Sequence, residues 1–405
     1  MQFVADQKGW RPDVLKLSDL GDRFVITGSG IICAIGNNNA EVWQNLNNSE
    51  QLMGTEALGE NKKTISRPLD VDFAGHMSVD MCRMATKLTK MALIAAKEAA
   101  LQADIAGLDK NKTGAIVGTA LSGTVFREEI CNSLQEGKKR ASALLASRCA
   151  PNESVGALCL ELGIKGHNTV VSSFATSSLN ALFNACVALA CDDMKAMVAV
   201  GAEEISGIVM ELCKTAIIGD QSSISRRSII LPGISPAEGA AAIVVEREQD
   251  ALQRGAVVLG RIDEIAITQS RSDPRHIVDS LERSMRACLA WKPNSFYISA
   301  NANGSVLDRL ENMAMKRVFG LDIPRVARFK YAAGETFGAS GMMQVVTAVN
   351  SLRHDSLPTT MDSGSGKTER VSSITGRDGS GSGVLINCFD QYGTAGSALL
   401  CMRGQ

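Results

Sequence analysis

The chain has 405 residues, of which 45% are hydrophobic and 21% charged, and its 42 Lys+Arg against 43 Asp+Glu leave a net charge of -1. That balance excludes a disordered chain, and the lack of a basic excess argues against nucleic acid as a partner. Length alone admits two or three domains of about 150 residues each. The unusual counts are 11 Cys and 4 His, because the commonest general base is scarce while a nucleophilic side chain is plentiful. The cysteines form no CxxC pair, are odd in number and sit mostly in apolar runs, so they read as reduced core thiols of a cytoplasmic protein. Residues 1–23 lack the apolar stretch of a signal peptide and read as an N-terminal extension.

Taken in chain order, residues 24–27 (FVIT) predict a buried strand running into the glycine turn Gly28-Ser29-Gly30. A dinucleotide-binding GxGxxG fails there, because Cys33 stands at the third glycine position. Residues 83–101 place Met84, Leu88, Met91, Ala95 and Ala99 at helical spacing, with lysines mostly opposite, and predict an amphipathic surface helix. Strands follow at 115–117 and 167–171, the second leading to the small-residue turn SSFATS at 172–177. The next helix, 178–191, is apolar on nearly every side, so it must be buried in a core or against a partner subunit. No uncharged apolar run reaches the roughly 18 residues of a membrane span, and residues 179–191 stop at Asp192-Asp193. Strands at 197–200 and 240–245 complete this half.

After a short helix at 248–255 the alternation restarts: strand 257–267, helix 276–290, strand 295–299, helix 307–318, strand 325–329, helix 339–352, and strands 383–388 and 397–402. The chain therefore reads as an N-terminal extension, 1–23, and two similar α/β halves, 24–250 and 256–405, with a mainly parallel sheet covered on both faces. Gly366-Lys367-Thr368 mimics the end of a P-loop, but Met361 occupies the required first glycine position. The Gly/Ser-rich stretches 362–366 and 378–383 read as loop.

Several ordered motifs carry a resemblance. FVITGSGIICAIGNN opens the first half, and GHNTVVSSFATSSLNALFNACVALACDDMKAMVAVGAEE spans residues 166–204. PGISPAEGAAAIVVE at 232–246, FKYAAGETFGASG at 329–341 and NCFDQYGTAGS at 387–397 complete the series. Together they resemble the β-ketoacyl synthases, condensing enzymes of the thiolase fold, over residues 24 to about 403. The resemblance implies an α/β fold of two duplicated halves in α-β-α-β-α layers, acyltransferase chemistry on acyl carrier protein substrates, and no metal or other cofactor.

That chemistry needs a cysteine at a helix N-terminus to accept the acyl chain, and two histidines to stabilise the enolate formed by decarboxylation. By the same resemblance the nucleophile position is Ala175, and the two histidine positions are Asn303 and Glu335. An alanine has no atom for covalent catalysis, and an ionised Glu335 would repel an enolate. His76, His167, His276 and His354 match none of the motif positions, whereas Lys330, Gly338, Gly341, Asp308 and Glu311 fit the pattern. Fold retained with chemistry lost is similar to the chain-length factors, the β subunits of type II polyketide synthases, although those commonly carry Gln where this chain has Ala175.

Such a subunit would form a heterodimer with an active ketosynthase α subunit, through the strand before Ser172 and the helix 178–191. The resemblance places a chain-length-limiting wall at Thr124, Phe126, Gly207 and Met210, and a loop similar to the family's gating loop at Phe389 and Tyr392. Cys33 and Cys388 lie near those loops and are the cysteines expected to be exposed. Two other readings stand beside this one: an active enzyme using Glu335 as an atypical acid or base, and a purely structural stabiliser. Neither nucleic acid nor a membrane is an expected partner.

Overall fold

The computed structural model describes residues 14–47, 71–137, 143–191, 193–216, 234–291, 295–357, 360–361, 368–369 and 382–402. The P-loop-like Gly366-Lys367, most of the Gly/Ser-rich stretches and residues 1–13 of the N-terminal extension lie outside these. Among the described residues the first half supplies β1 (Phe24–Cys33), β2 (Thr113–Gly118), β3 (Asn168–Val171), β4 (Ala196–Glu203) and β5 (Gly239–Arg247). The second supplies β6 (Gly260–Gln269), β7 (Ser295–Ser299), β8 (Val326–Ala327), β9 (Ser382–Phe389) and β10 (Thr394–Met402). They join in the order β3-β2-β4-β5-β1-β6-β10-β9-β7-β8, with the short strand Leu15–Lys16 added beside β6. Adding five to each strand number of the first half reproduces the second half, so the two share one topology.

The mainly parallel sheet expected from the sequence is corrected to a mixed one. Within the halves, β2 pairs in parallel with β3 and β4, and β7 with β8 and β9. The last strand of each half inserts backwards: β5 runs antiparallel to β1 and β4, and β10 antiparallel to β6 and β9. Helices cover both faces, so every strand reads as an apolar run whichever way it points, and the hydrophobic pattern carries no sign of direction. The halves meet where Phe24–Ile26 of β1 pair antiparallel with Gly260–Ile262 of β6.

Period-two alternation sorts side chains between layers. In β5, Ala241, Ile243 and Val245 join the central apolar cluster, while Ala240, Ala242 and Val244 join the outer one. The outer cluster of the first half holds the helices α1 (Lys87–Gln102) and α3 (Glu153–Leu162), and that of the second half holds α6 (Pro274–Cys288) and α7 (Leu307–Phe319). Between the half-sheets lie α4 (Ser177–Cys191) and α8 (Ser340–His354), both in the central cluster. Two further helices, α2 (Thr124–Gln135) and α5 (Gly207–Ala216), flank the first half. The result is the layered α-β-α-β-α arrangement.

Three expectations change in detail. Gly28 and Gly30 form no turn; they lie inside β1, where a Cβ at either would fall 2.0 or 2.1 Å from the carbonyl oxygen of Ala99 or Ala95 in α1. The glycines serve close strand–helix packing. The helix expected over 83–101 is broken at Thr86, whose side chain accepts the Thr89 amide at 3.1 Å as an N-cap and leaves Met84 exposed. Its remaining length is far more buried than a surface helix, with ten residues of α1 inside. Lastly, Phe174–Cys191 is long and apolar enough by length and composition to cross a membrane, contrary to the expectation that no run would be, yet 61% of it is buried inside the protein. It is the core helix between the sheets.

Candidate functional site

Two matching elbows face each other at the centre. In the first, Phe174 sits at φ 48°, a 3-10 turn spans Phe174–Thr176, and α4 begins at Ser177. In the second, Phe337 sits at φ 43°, a 3-10 turn spans Phe337–Ala339, and α8 begins at Ser340. Each opening serine fastens its elbow in the same way: Ser177 Oγ accepts the Ser173 amide at 2.9 Å, and Ser340 Oγ accepts the Thr336 amide at 3.2 Å. Left-handed backbone at a bulky residue costs on the order of 1–3 kcal/mol, so such conformations persist where surrounding contacts hold them. Here the Phe174 and Phe337 rings pack 5.9 Å apart, and Tyr392 meets Phe174 edge-on at 5.3 Å.

Ala175 stands in the first elbow, buried, and offers only a methyl group. The corresponding position in the second elbow is Gly338, whose amide donates to Glu203 Oε2 at 3.1 Å. Glu203 lies at the end of β4 and also accepts the Ala120 and Leu121 amides at 2.7 and 2.9 Å and the Thr119 hydroxyl at 3.0 Å. Burial pushes its carboxyl up to about 7 despite these donors. A Cβ on Gly338 would lie 2.4 Å from the Ala120 nitrogen and 2.8 Å from Glu203 Oε2. Gly338→Ala is therefore expected to destabilise the chain by about 1–3 kcal/mol, the usual cost of overpacking, read from its denaturant midpoint.

Asn303 and Glu335 come together as the sequence motifs implied, but as parts of a closed polar network. Lys330 Nζ pairs with Glu335 Oε2 at 2.9 Å, with both side chains almost fully buried, and also donates to Asn301 Oδ1 at 2.8 Å. Asn303 Nδ2 donates to Glu335 Oε2 at 2.8 Å, while the Phe337 amide and Ser340 hydroxyl donate to Oε1 at 2.8 and 2.7 Å. Four donors thus converge on two oxygens, which makes Glu335 a structural anchor. Beside it, Glu311 accepts the Asn301 amide and Asn387 Nδ2, both at 3.0 Å, and burial pushes its carboxyl up to about 7. Asp308 accepts the Tyr331 hydroxyl at 2.7 Å and the Asn303 amide at 2.9 Å. A polar cleft of about 280 Å³ opens next to this network between Arg309, Arg328 and Tyr331.

The other sequence-derived positions fall in three places. Thr124 and Phe126 lie near the start of α2 and Gly207 and Met210 on α5; the Ile208 amide donates to Glu128 Oε2 at 3.2 Å, which ties the two helices together. Phe126 is half-buried with the Arg148 guanidinium 5.5 Å above its ring. Phe389 ends β9 fully buried in the outer core of the second half, whereas Tyr392 is 36% exposed. Cys33 and Cys388 are buried, contrary to expectation, and burial pushes the Cys388 thiol up to about 12; the exposed cysteines are Cys131 and Cys191. Sequence reasoning missed Glu203, Asp390 and the paired phenylalanines. The signal present was the repeat Phe174-Ala-Thr-Ser177 and Phe337-Gly-Ala-Ser340.

Among the described residues β3 is the terminal strand of the sheet, with one edge unpaired and none of its four residues buried. Next to it α4 is not buried all round: Asn180, Phe183, Asn184, Val187 and Cys191 form an accessible stripe at helical spacing. No group of His, Cys, Asp or Glu suited to hold a metal occurs among the described residues.

Comparisons with known proteins match this architecture. The chain is 26% identical over 365 residues to nodulation protein E of Rhizobium sp. (strain N33), covering 84% of this chain and 88% of that protein. It is 24% identical over 367 residues to the chloroplastic 3-oxoacyl-[acyl-carrier-protein] synthase I of Arabidopsis thaliana, covering 83% and 76%. Among solved structures, the ishigamide ketosynthase/chain length factor superposes with a TM-score of 0.75 at 20% identity over 95% of this chain and 100% of that one. A type II polyketide synthase ketosynthase in complex with its acyl-carrier protein gives 0.73 at 20% identity over 94% and 99%. Residues 22–251 match the β-ketoacyl synthase N-terminal domain and residues 260–363 the C-terminal domain, so the chain belongs to the β-ketoacyl synthase family.

Proposed function

We propose that this chain is a non-catalytic, chain-length-factor-type subunit of a type II polyketide synthase. It pairs with an active ketosynthase, which performs decarboxylative condensation on acyl carrier protein substrates, and it helps to bound the growing chain. The observation that carries this reading is Ala175: the position from which α4 would activate a nucleophile holds a methyl group. Glu335 supports it, because a carboxylate held by four donors is poorly suited to serve as an alternative base. The solved structures that share the fold include one named a ketosynthase/chain length factor.

Pairing would use the open β3 edge and the accessible stripe of α4. An open strand edge beside an accessible helix stripe that includes Phe183, Val187 and Cys191 is a surface that chains ordinarily cover. A wall formed by α2 and α5 would limit product length by packing, since each added two-carbon unit either fits or clashes. Co-expression with a candidate ketosynthase is expected to give a heterodimer by native mass spectrometry; a stable homodimer that ignores the ketosynthase would overturn the pairing. In the reconstituted pair, Phe126→Ala should lengthen and Phe126→Trp shorten the products by at least one unit. Unchanged lengths would sink the wall role of Phe126 and leave the pairing intact.

A further inference from the structure

The first elbow contains a buried acid that the sequence motifs do not explain. Asp390 follows β9 directly and is 1% exposed; one carboxyl oxygen accepts the Tyr392 amide at 2.9 Å, and the other, Oδ2, is buried without a hydrogen-bond partner. The Ala175 amide, at the N-terminal mouth of α4, also acts on this carboxyl, together with the amides of Gly393 and Thr394. The position is paralleled in the duplicated half. β4 and β9 are topological equivalents: Glu203 at the end of β4 accepts the Gly338 amide of the second elbow at 3.1 Å, and Asp390 just past β9 lies where the Ala175 amide of the first elbow favours its charged form. Each elbow is thus closed by an acid carried on the opposite half.

We propose that the Asp390 carboxylate is a built-in anion, filling the N-terminal mouth of α4 at Ala175 and denying that mouth to any other negative charge. A helix N-terminus is a ready anion site, and a carboxylate already seated beside it interacts with the helix dipole and repels a second anion. Burial pushes the Asp390 carboxyl up to about 6, so it is mainly ionised at neutral pH. The neighbouring Tyr392 phenol, raised by burial, stays neutral there. This inference deepens the non-catalytic reading and rests on it in one respect, the lack of a nucleophile at position 175. It adds a second block: a thiol restored at that position would face a negative charge in place of free helix amides.

The test installs that thiol as a probe. Ala175→Cys and Ala175→Cys/Asp390→Asn are alkylated with iodoacetamide across a pH series, and the peptide containing residue 175 is followed by mass spectrometry. With Asp390 present the thiolate is disfavoured; with the near-isosteric amide the helix terminus favours it. The double variant is expected to react at least about tenfold faster near neutral pH, equivalent to a fall of about one unit in the thiol pKa. Equal rates would overturn the proposal. So would a thiol inert in both variants, because something other than Asp390 would then close the site. Alkylation of the exposed Cys131 and Cys191 should be the same in both variants, and continued protection of the buried Cys186, Cys288 and Cys388 reports that the fold is unchanged. Failure here leaves the proposed pairing standing, since the co-expression experiment tests that separately, and leaves Ala175 without a nucleophilic atom.

Discussion

Lys330→Met is expected to lower the unfolding free energy by about 3–5 kcal/mol, because it leaves a buried carboxylate without its counter-charge. The Glu335 side chain lies at 3% exposure and receives the Lys330 ammonium at 2.9 Å, so no solvent takes over when the lysine is lost. The Asn303, Phe337 and Ser340 donors remain, which sets the lower end of the range. Charge and packing are separated by the double variant Lys330→Met/Glu335→Leu, in which nothing charged is left to bury. It should recover most of the loss, since replacing a whole buried ion pair with apolar groups is often neutral. Urea unfolding monitored by circular dichroism measures all three chains. A loss below about 1 kcal/mol in the single variant would show that the pair does not hold the network together.

The second large effect is a stability profile that rises toward mild acid. Burial pushes the carboxyls of Glu203, Glu204 and Glu311 up to about 7 and that of Asp390 up to about 6. Each therefore binds its proton more tightly in the folded chain than in the unfolded one. Between the unfolded carboxylate range near pH 4 and these raised values, the folded state holds more protons, so stability falls as pH rises. The contribution of these groups should be greatest in mild acid and should disappear progressively as pH passes through about 6 to 7. Glu204 isolates the effect, because its Oε1 is buried without a partner and the nearby carboxylates of Glu238 and Glu153 add to the desolvation. Glu204→Gln should stabilise the chain near pH 8, leave it little changed near pH 5 and flatten the slope of midpoint against pH. An unchanged slope would show that Glu204 does not titrate in this window.

Much of the fold was legible because periodicity reports burial. The long apolar helices and both runs of alternating elements followed from spacing alone, as did the duplication. Strand direction was not legible, since residues covered on both faces look alike whichever way the chain runs. Gly28 and Gly30 illustrate a related limit: glycine signals a missing side chain, but whether a turn or an approaching helix needs the space depends on α1, some seventy residues away. At the site, the motifs located Ala175, Asn303 and Glu335, but the roles of the last two depend on Lys330, Asn301 and Ser340, brought together only by folding. Asp390 was visible only as one residue of the motif NCFDQYGTAGS. Its meaning needed the equivalence of β4 and β9, which is a property of the sheet.

The two ends of the sheet are unequal. Among the described residues β3 presents four along an open edge, whereas β8 at the far end is only two residues long. A sheet with comparable sticky edges at both ends could add neighbours without limit and grow into a fibre. One usable end allows a single addition, after which the joined sheet offers only short margins. Whatever chain docks there, geometry favours a closed pair over an open-ended polymer.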